Sequence, residues 1–249
     1  MRSSSQEPTC GSRPVLEVAT PEQFHTSILS RRPKIAVFDC DGTLWDGDTG
    51  SEFMVWTIET GLVSRETADW IDDRYRLYRK GELSEIAICG EMVQMYAGLT
   101  EKEVRRAART FFQQRFERFI FPEMLTLAQQ LFASGAEIWA VSSTNTWVVE
   151  EGSARFGIPA ERVLAAKTRV ADHLITPELL DVPTGQGKVD SLRRARVEHP
   201  GVVFGNSIHD AAMLSIAGHA VAIHPSAELR AYATQESWTI HMPAPQSAM

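Results

Sequence analysis

Two carboxylates, Asp39 and Asp41, stand one residue apart at the end of a short apolar run in this chain. The run 35–38 is rich in β-branched residues and Gly42 follows the pair, so the pattern predicts a buried strand that ends at a turn. In open α/β sheets, ligands bind at the carboxyl ends of the strands. Two carboxylates this close repel each other unless a cation or a shared proton lies between them. The spacing therefore indicates a site for chemistry, with cation binding or proton transfer as its basis.

Three later segments also place a polar or charged residue after an apolar run or at a helix start. The apolar run 138–141 ends at the hydroxyl of Ser142. Lys188 follows a glycine where a helix is predicted to begin, which is the unfavourable end of the helix dipole for a cation. A third apolar run, 202–204, is followed by Asn206 and Asp210. Each segment adds a group that could bind an anion or a metal ion.

In this order the four segments resemble the motifs of the haloacid dehalogenase (HAD) superfamily, whose first motif is Asp-x-Asp-Gly-Thr after a hydrophobic strand. The first motif ends here at Thr43, and Asn206 stands where the fourth motif of the family carries an aspartate. The resemblance extends from Pro33 to about His241 and is to the phosphoserine phosphatase-like branch. It implies an α/β fold, with a Rossmann-like parallel-sheet core and a small all-α cap domain inserted after the first strand.

The resemblance also implies roles for the motif residues. Asp39 would be the nucleophile, and Asp41 the general acid and base. The phosphoryl oxygens would be held by Thr43, Ser142 and Lys188. The implied cofactor is Mg²⁺, with metal-binding positions at Asp39, Asp41, Asn206 and Asp210. An amide at position 206 removes one negative charge, so we expect weaker Mg²⁺ binding than in relatives with an aspartate there.

The implied activity is hydrolysis of a small phosphorylated metabolite, a phosphomonoester, through an aspartyl-phosphate intermediate. A phosphotransferase of the same superfamily is one alternative. The other is a catalytically weak phosphate-binding protein, which Asn206 suggests. Dehalogenation is disfavoured, since that branch lacks the second aspartate and Asp41 is present here.

Candidates for substrate recognition lie just after the first motif. The family offset places Asp48 near the glutamate that contacts the substrate amine in phosphoserine phosphatases, with Glu52 and Asp46 as rivals. No arginine matches the one that binds the serine carboxylate in those enzymes. The early part of the predicted cap is rich in aromatic residues, which suggests packing or a pocket for a quaternary ammonium group. These aromatic residues are Trp45, Phe53, Trp56, Trp70, Tyr75 and Tyr78.

The elements that must position these residues follow from periodicity and caps. The pair Thr20-Pro21 predicts a short helix to about Ser30. A long stretch of helical patterning then follows, with breaks near Gly61 and Gly81 and a capping box at Thr100. Further strands are predicted at 137–142, 162–166, 202–205 and 219–223. The predicted division is 1–32 tail and short helix, 33–44 and 122–241 core domain, 45–121 helical cap domain, and 242–249 disordered tail.

Composition limits the partners. The chain has 249 residues, a formal net charge of −7 and a pI near 5.5, which argues against binding a nucleic-acid backbone. No apolar stretch approaches the length of a membrane helix, and no apolar segment follows the charged N-terminus as in a secretory signal. Three scattered cysteines suggest neither a disulfide framework nor a zinc site. We therefore expect a cytoplasmic protein with a small phosphorylated substrate and neither nucleic-acid nor membrane partners.

Overall fold

The computed structural model describes residues 20–244. The predictions for residues 1–14 and for the tail beyond residue 244 lie outside this part of the chain. The α-helices are α1 Pro21–Leu29, α2 Thr49–Glu59, α3 Arg65–Arg79, α4 Glu85–Gln94, α5 Glu101–Phe111, α6 Pro122–Ala133, α7 Thr146–Arg155, α8 Gln186–Arg194, α9 Ala211–Ser215 and α10 Ala227–Gln235. The strands are β1 Ile35–Phe38, β2 Glu137–Asn145, β3 Val163–Ala171, β4 Leu174–Asp181, β5 Val202–Gly205, β6 Ala220–Ile223 and β7 Thr239–His241.

The seven strands form one sheet in the order β4-β3-β2-β1-β5-β6-β7. All neighbouring strands are parallel except β3 and β4, which form an antiparallel hairpin. The central strand β1 pairs with β2 on one side and β5 on the other, so that Val37 lies opposite both Trp139 and Val203. The predicted α/β fold with a mainly parallel sheet is confirmed.

Helices cover both faces of the sheet because successive residues of its buried strands point in opposite directions. Phe38 belongs to an apolar cluster with buried residues of α1, α6 and α7. Its neighbour Val37 belongs to a second cluster with residues of α8, α9 and α10. The sheet is thus the middle of three layers, and its carboxyl edge is left free for a site.

Residues 45–121, between β1 and β2, contain the four α-helices α2–α5 and no strand of the sheet. The predicted breaks fall where glycines adopt positive φ, +69° at Gly61 and +74° at Gly81. The predicted capping box is present: Thr100 and Glu103 exchange hydrogen bonds at the start of α5. Buried residues of these helices join the apolar cluster on one face of the sheet. The division into core and cap domains stays a prediction.

Two strands were not predicted from the sequence. β4 contains Pro177 and is mostly exposed, and β7 is only three residues long. The β3–β4 hairpin reaches the inserted helices, because Ile175 exchanges backbone hydrogen bonds with Gly98 and Leu99 between α4 and α5. Within residues 20–244, no helix is both long and apolar enough to span a membrane.

Candidate active site

Asp39 and Asp41 lie at the carboxyl end of β1, in the middle of the sheet. The backbone N–H of Asp39 donates to a carbonyl of β5 at 2.9 Å, so strand pairing extends to the first carboxylate. The chain then turns at Gly42, whose φ of +74° is accessible to glycine without strain. Since β2, β1 and β5 are parallel, the residues that follow them meet at one edge of the sheet.

Lys188 connects two buried carboxylates at this edge. It lies in the first turn of α8, and its Nζ donates to Asp39 Oδ1 at 2.6 Å and to Asp210 Oδ1 at 2.5 Å. The Lys188, Asp39 and Asp210 side chains are 4%, 8% and 0% exposed. A buried cation between two carboxylates offsets the cost of removing each charge from water. The ammonium group also restricts the orientation of Asp39.

The surroundings shift the pKa of both partners of this contact. Burial and the nearby charge of Asp210 raise the pKa of Asp39 to about 7, while Lys188 acts in the opposite direction. Burial lowers the pKa of Lys188, but Asp210 and Asp39 raise it by more, so the net shift is upward. Lys188 therefore stays a cation, and the ionised form of Asp39 depends on a positive charge close to it.

Asp41 is held by four hydrogen-bond donors. Its Oδ1 accepts from the indole of Trp45 at 2.6 Å and from the backbone N–H and hydroxyl of Thr49 at 2.9 and 2.6 Å. Its Oδ2 accepts from the hydroxyl of Thr144 at 2.8 Å. Burial and the charge of Asp48 raise the pKa of Asp41 to about 6, although its hydrogen bonds lower it. A carboxyl group with such a pKa is able to hold and release a proton near neutral pH.

A cavity of about 260 Å³ opens above the two carboxylates, between the sheet edge and helices α3 and α4. Its floor includes Asp39, Asp41, Ser142, Lys188 and Asn206. Its opposite wall includes Asp48, Tyr75, Tyr78, Glu85, Cys89 and Met92. The volume suits a small molecule, and the floor brings together side chains from all four sequence motifs.

The sequence matches the haloacid dehalogenase-like hydrolase family over residues 36–215. The chain belongs to this family. A histidinol-phosphatase of Neisseria meningitidis is 25% identical over 217 residues, which cover 83% of this chain and 97% of that protein. The phosphoserine phosphatase SerB1 of Mycobacterium tuberculosis is 23% identical over 220 residues, 82% of this chain and 69% of that protein. The structure of a phospho-aspartyl intermediate analogue of phosphoserine phosphatase has a TM-score of 0.56 and 19% identity, covering 85% of this chain and 94% of that chain.

These relatives confirm the resemblance to the HAD superfamily and to its phosphoserine phosphatase-like branch. The roles of individual residues stay predictions, and the structure shows where each one lies. Ser142 and Lys188 both line the cavity. Thr43 is fully buried and donates its hydroxyl to Asp39 Oδ2 at 2.9 Å. In this geometry Thr43 orients the carboxylate of the HAD first motif and does not line the cavity.

The donors present fit the Mg²⁺ that the HAD family implies. Asp39 offers a carboxylate oxygen, Asp41 a backbone carbonyl oxygen and Asn206 an amide oxygen, all of the type that this cation prefers. A Cβ on Gly42 would lie 1.9 Å from Asn206 Nδ2, so the missing side chain leaves room for the amide beside the two carboxylates. In the described part of the chain, no three His, Cys, Asp or Glu side chains group to hold a metal ion.

Asp210, the fourth metal-binding candidate, has both carboxylate oxygens engaged by protein donors. Oδ1 accepts from Lys188, and Oδ2 accepts from the backbone N–H groups of Asn206 and Ser207, each at 2.9 Å. Oδ1 accepts one hydrogen bond, from Lys188, so a metal ion bound to this oxygen would lie beside the Lys188 ammonium. The geometry favours the role of orienting Lys188 and the loop that carries Asn206.

The substrate-recognition candidates separate into two groups. Asp48 lines the cavity and also caps α2, where it accepts from the N–H of Ser51 at 3.0 Å. Its rival Glu52 lies in a separate surface hollow beside Arg115, and the other rival, Asp46, does not line the cavity. Among the aromatic candidates, only Tyr75 and Tyr78 line the cavity. Trp45 and Phe53 are fully buried, Trp56 packs against the core, and Trp70 is 39% exposed.

Two sets of contacts were not predicted from the sequence. The first is the set of donors around Asp41, of which only Thr144 had a sequence signal, since it lies in a polar run at the end of β2. The second joins Glu85, at the start of α4, to two loops at the sheet edge. Glu85 Oε1 accepts from the Thr184 hydroxyl at 2.7 Å, and Oε2 lies 2.5 Å from His209 Nδ1. The inserted helices are thereby tied to loops beside Lys188 and Asn206.

Proposed function

We propose that the chain is a Mg²⁺-dependent phosphatase that hydrolyses a small phosphate monoester through an aspartyl-phosphate on Asp39. One observation carries this proposal: the two carboxylates share the cavity floor but have different partners. Asp39 contacts the buried ammonium of Lys188, whereas Asp41 accepts hydrogen bonds from the neutral donors of Trp45, Thr49 and Thr144. Paired carboxylates in different environments are suited to different roles, nucleophile and acid. The family and the phosphatase relatives support the reaction class.

In the first half of the proposed reaction, a carboxylate oxygen of Asp39 attacks phosphorus in line with the ester oxygen. The new bond from Asp39 to phosphorus forms as the phosphorus–oxygen ester bond breaks, and Asp41 gives its proton to the leaving alkoxide. Lys188 and the hydroxyl of Ser142 hold the negative phosphoryl oxygens. The products are a free alcohol and the aspartyl-phosphate.

In the second half, Asp41 accepts a proton from a water molecule as the water oxygen attacks phosphorus. The bond from Asp39 to phosphorus breaks, which returns the carboxylate and releases inorganic phosphate. The donors around Asp41 keep its carboxyl group facing the same position in both halves, as an acid that becomes a base must do.

The metal ion would be held by Asp39, the backbone carbonyl of Asp41 and Asn206. When bound, Mg²⁺ would neutralise phosphoryl charge and lower the pKa of Asp39, favouring its ionised form. The buried ammonium of Lys188 supplies a second positive charge on the same carboxylate. The nucleophile would thus be ionised between two cations.

The experiment is a phosphate-release assay on phosphoserine, histidinol phosphate, phosphocholine and sugar phosphates, with Mg²⁺ present or chelated. We expect metal-dependent release by the wild type and none by Asp39→Asn. The matched control is Asp46→Asn, because Asp46 is exposed and lies outside the cavity. Release that is unchanged in Asp39→Asn would refute the proposed nucleophile. Phosphate binding without release from any substrate would favour the phosphate-binding alternative, and turnover only with an added acceptor alcohol would favour the phosphotransferase.

A further inference from the structure

The cavity wall that faces the proposed phosphate site is acidic and aromatic. We propose that the leaving group of the substrate carries a cationic nitrogen and no carboxylate, so that the substrate is the phosphate ester of a simple amino alcohol. This inference rests on the proposed phosphatase function, and it concerns the part of the substrate that leaves as the alcohol. The inference is based on the charged side chains that line the cavity and on the ion pairs that they already form.

Among residues 20–244, the cationic side chains that line the cavity are Lys188 and, when protonated, His209, and both already contact carboxylates of the protein. Counting residues 20–244, Lys188 is the only lysine or arginine that lines the cavity. Its ammonium already contacts Asp39 and Asp210, at the end of the cavity where the phosphoryl group would bind. A substrate carboxylate would therefore lose its hydration without gaining an ionic partner.

Two carboxylates, by contrast, lie on the wall of the leaving-group end. Asp48 lies at the start of α2, and Glu85 lies at the start of α4. Glu85 is held in place by the Thr184 hydroxyl at 2.7 Å. Its other neighbour, His209, is able to offset one negative charge at most, because a histidine carries a single positive charge when protonated. Asp48 is exposed and caps α2 through the N–H of Ser51, so that its carboxylate adds negative charge beside the leaving group.

Tyrosine rings add a second interaction that favours a cation. Tyr75 and Tyr78 line the same cavity, and their ring centroids are 5.9 Å apart at an angle of 49°. Ring faces attract cations, and the attraction increases where water is excluded. Burial and the charge of Glu85 raise the pKa of Tyr78, so this ring stays a neutral phenol. The remaining wall includes Ile88, Cys89 and Met92, which suit a short apolar linker.

The first test compares three substrates of similar size on the wild-type enzyme with Mg²⁺. Aminoethyl phosphate has an amine, propyl phosphate replaces the amine by a methyl group, and phosphoserine adds a carboxylate to the amine. We expect kcat/KM for aminoethyl phosphate to exceed that for each of the other two by about fivefold or more. Propyl phosphate hydrolysed as well as aminoethyl phosphate, or phosphoserine as the best substrate, would overturn the inference.

A fourth substrate, p-nitrophenyl phosphate, distinguishes a wrong leaving-group inference from a wrong phosphatase proposal. Hydrolysis of p-nitrophenyl phosphate without a preference for the amine would overturn only the leaving-group inference. No phosphate release from any of the four substrates would overturn the phosphatase proposal itself.

Variants then test the residues. Asp48→Asn removes the charge but keeps an N-cap side chain for α2, since asparagine and aspartate cap equally well. We expect the preference for aminoethyl over propyl phosphate to fall by about fivefold in Asp48→Asn. Glu52→Gln is the matched control, because Glu52 lies outside the cavity, and it should keep the preference. An unchanged preference in Asp48→Asn would refute the role of its charge.

A gain-of-function variant tests the argument that the cavity wall lacks a cation able to bind a carboxylate. Met92→Arg places a guanidinium on the wall, and it should raise kcat/KM for phosphoserine relative to aminoethyl phosphate, with Met92→Leu as the control. No relative gain for phosphoserine in a folded Met92→Arg protein would contradict the argument that the wall lacks a carboxylate partner.

Discussion

Replacement of Asp210 by asparagine tests the buried charges at the centre of the site. The substitution keeps the shape of the side chain but removes the negative charge 2.5 Å from Lys188 Nζ. An asparagine oxygen is still able to accept from the N–H groups of Asn206 and Ser207, which now bond Asp210 Oδ2. The amide nitrogen would then face the ammonium of Lys188, two donors in contact.

The expected loss of unfolding free energy follows from the contacts that each charged group loses. Breaking a buried ion pair by removing one partner typically costs about 3–5 kcal/mol. Lys188 keeps Asp39 at 2.6 Å, and Asp39 loses the repulsion from Asp210 that raises its pKa. Both effects reduce the loss. We therefore expect Asp210→Asn to lower the free energy of unfolding by about 2 kcal/mol, with a parallel fall in phosphate release because Lys188 loses its support.

The assay is equilibrium unfolding in urea with a chelator present, so that metal binding does not contribute. Asp73→Asn is the matched control, because Asp73 forms a 2.9 Å ion pair with Arg76 in which both side chains are about 70% exposed. Such exposed pairs contribute less than about 1 kcal/mol. If Asp210→Asn and Asp73→Asn cost the same at equal m-values, the reasoning about the buried charges is wrong.

Three further predictions concern the metal site, the turn and a half-buried histidine. Asn206→Asp adds a negative charge and should tighten Mg²⁺ binding by about tenfold in a calorimetric titration; an affinity no tighter than the wild type would contradict it. Gly42→Ala should lower the free energy of unfolding by about 2–3 kcal/mol, because its Cβ would meet the Asn206 amide. Gly61→Ala has a similar φ but no atom within 4 Å of the new Cβ, so it should lower the free energy of unfolding by less. Equal losses in the two variants would show that the Asn206 amide moves away from the new Cβ at little cost. Burial and Arg31 lower the pKa of His219 from 6.5 to about 4. Between these values the unfolded chain binds a proton that the folded chain does not, so stability falls as the pH is lowered. The loss between about pH 7 and about pH 4.5 should be larger in the wild type than in His219→Gln by about 1 kcal/mol, and equal losses would refute the assignment.

The floor of the site was predictable because its signals are local. Asp39, Asp41 and Gly42 are adjacent in sequence, and an apolar run before them identifies the strand end that carries them. Lys188 lies 149 positions beyond Asp39, and only the order of the four motifs connected the two residues. Parallel strands bring their carboxyl ends together whatever the length of the connections, so the order of motifs was sufficient here.

The wall of the cavity was less predictable, since it depends on how the inserted helices pack. Glu85 and Thr184 are 99 residues apart, and neither lies in a motif. The same limit applied to Glu52, which is one helical turn from Asp48 and yet lies outside the cavity. Periodicity predicts that a helix exists and which of its residues are apolar, but not which of its polar residues will face another element.

The engagement of Asp210 determines how the rest of the site would bind a metal ion. Both of its oxygens accept from protein donors, so a metal ion bound to Asp210 would lie close to the Lys188 ammonium or to the loop at Asn206. Three buried charges at this position would be replaceable by apolar side chains if stability alone mattered. Here these charges restrict the orientation of Asp39 and of the loop that carries residue 206. In the proposed Mg²⁺ site the amide of Asn206 would be a neutral ligand beside the charged Asp39, and its replacement by an acid is the change to which metal affinity should respond most.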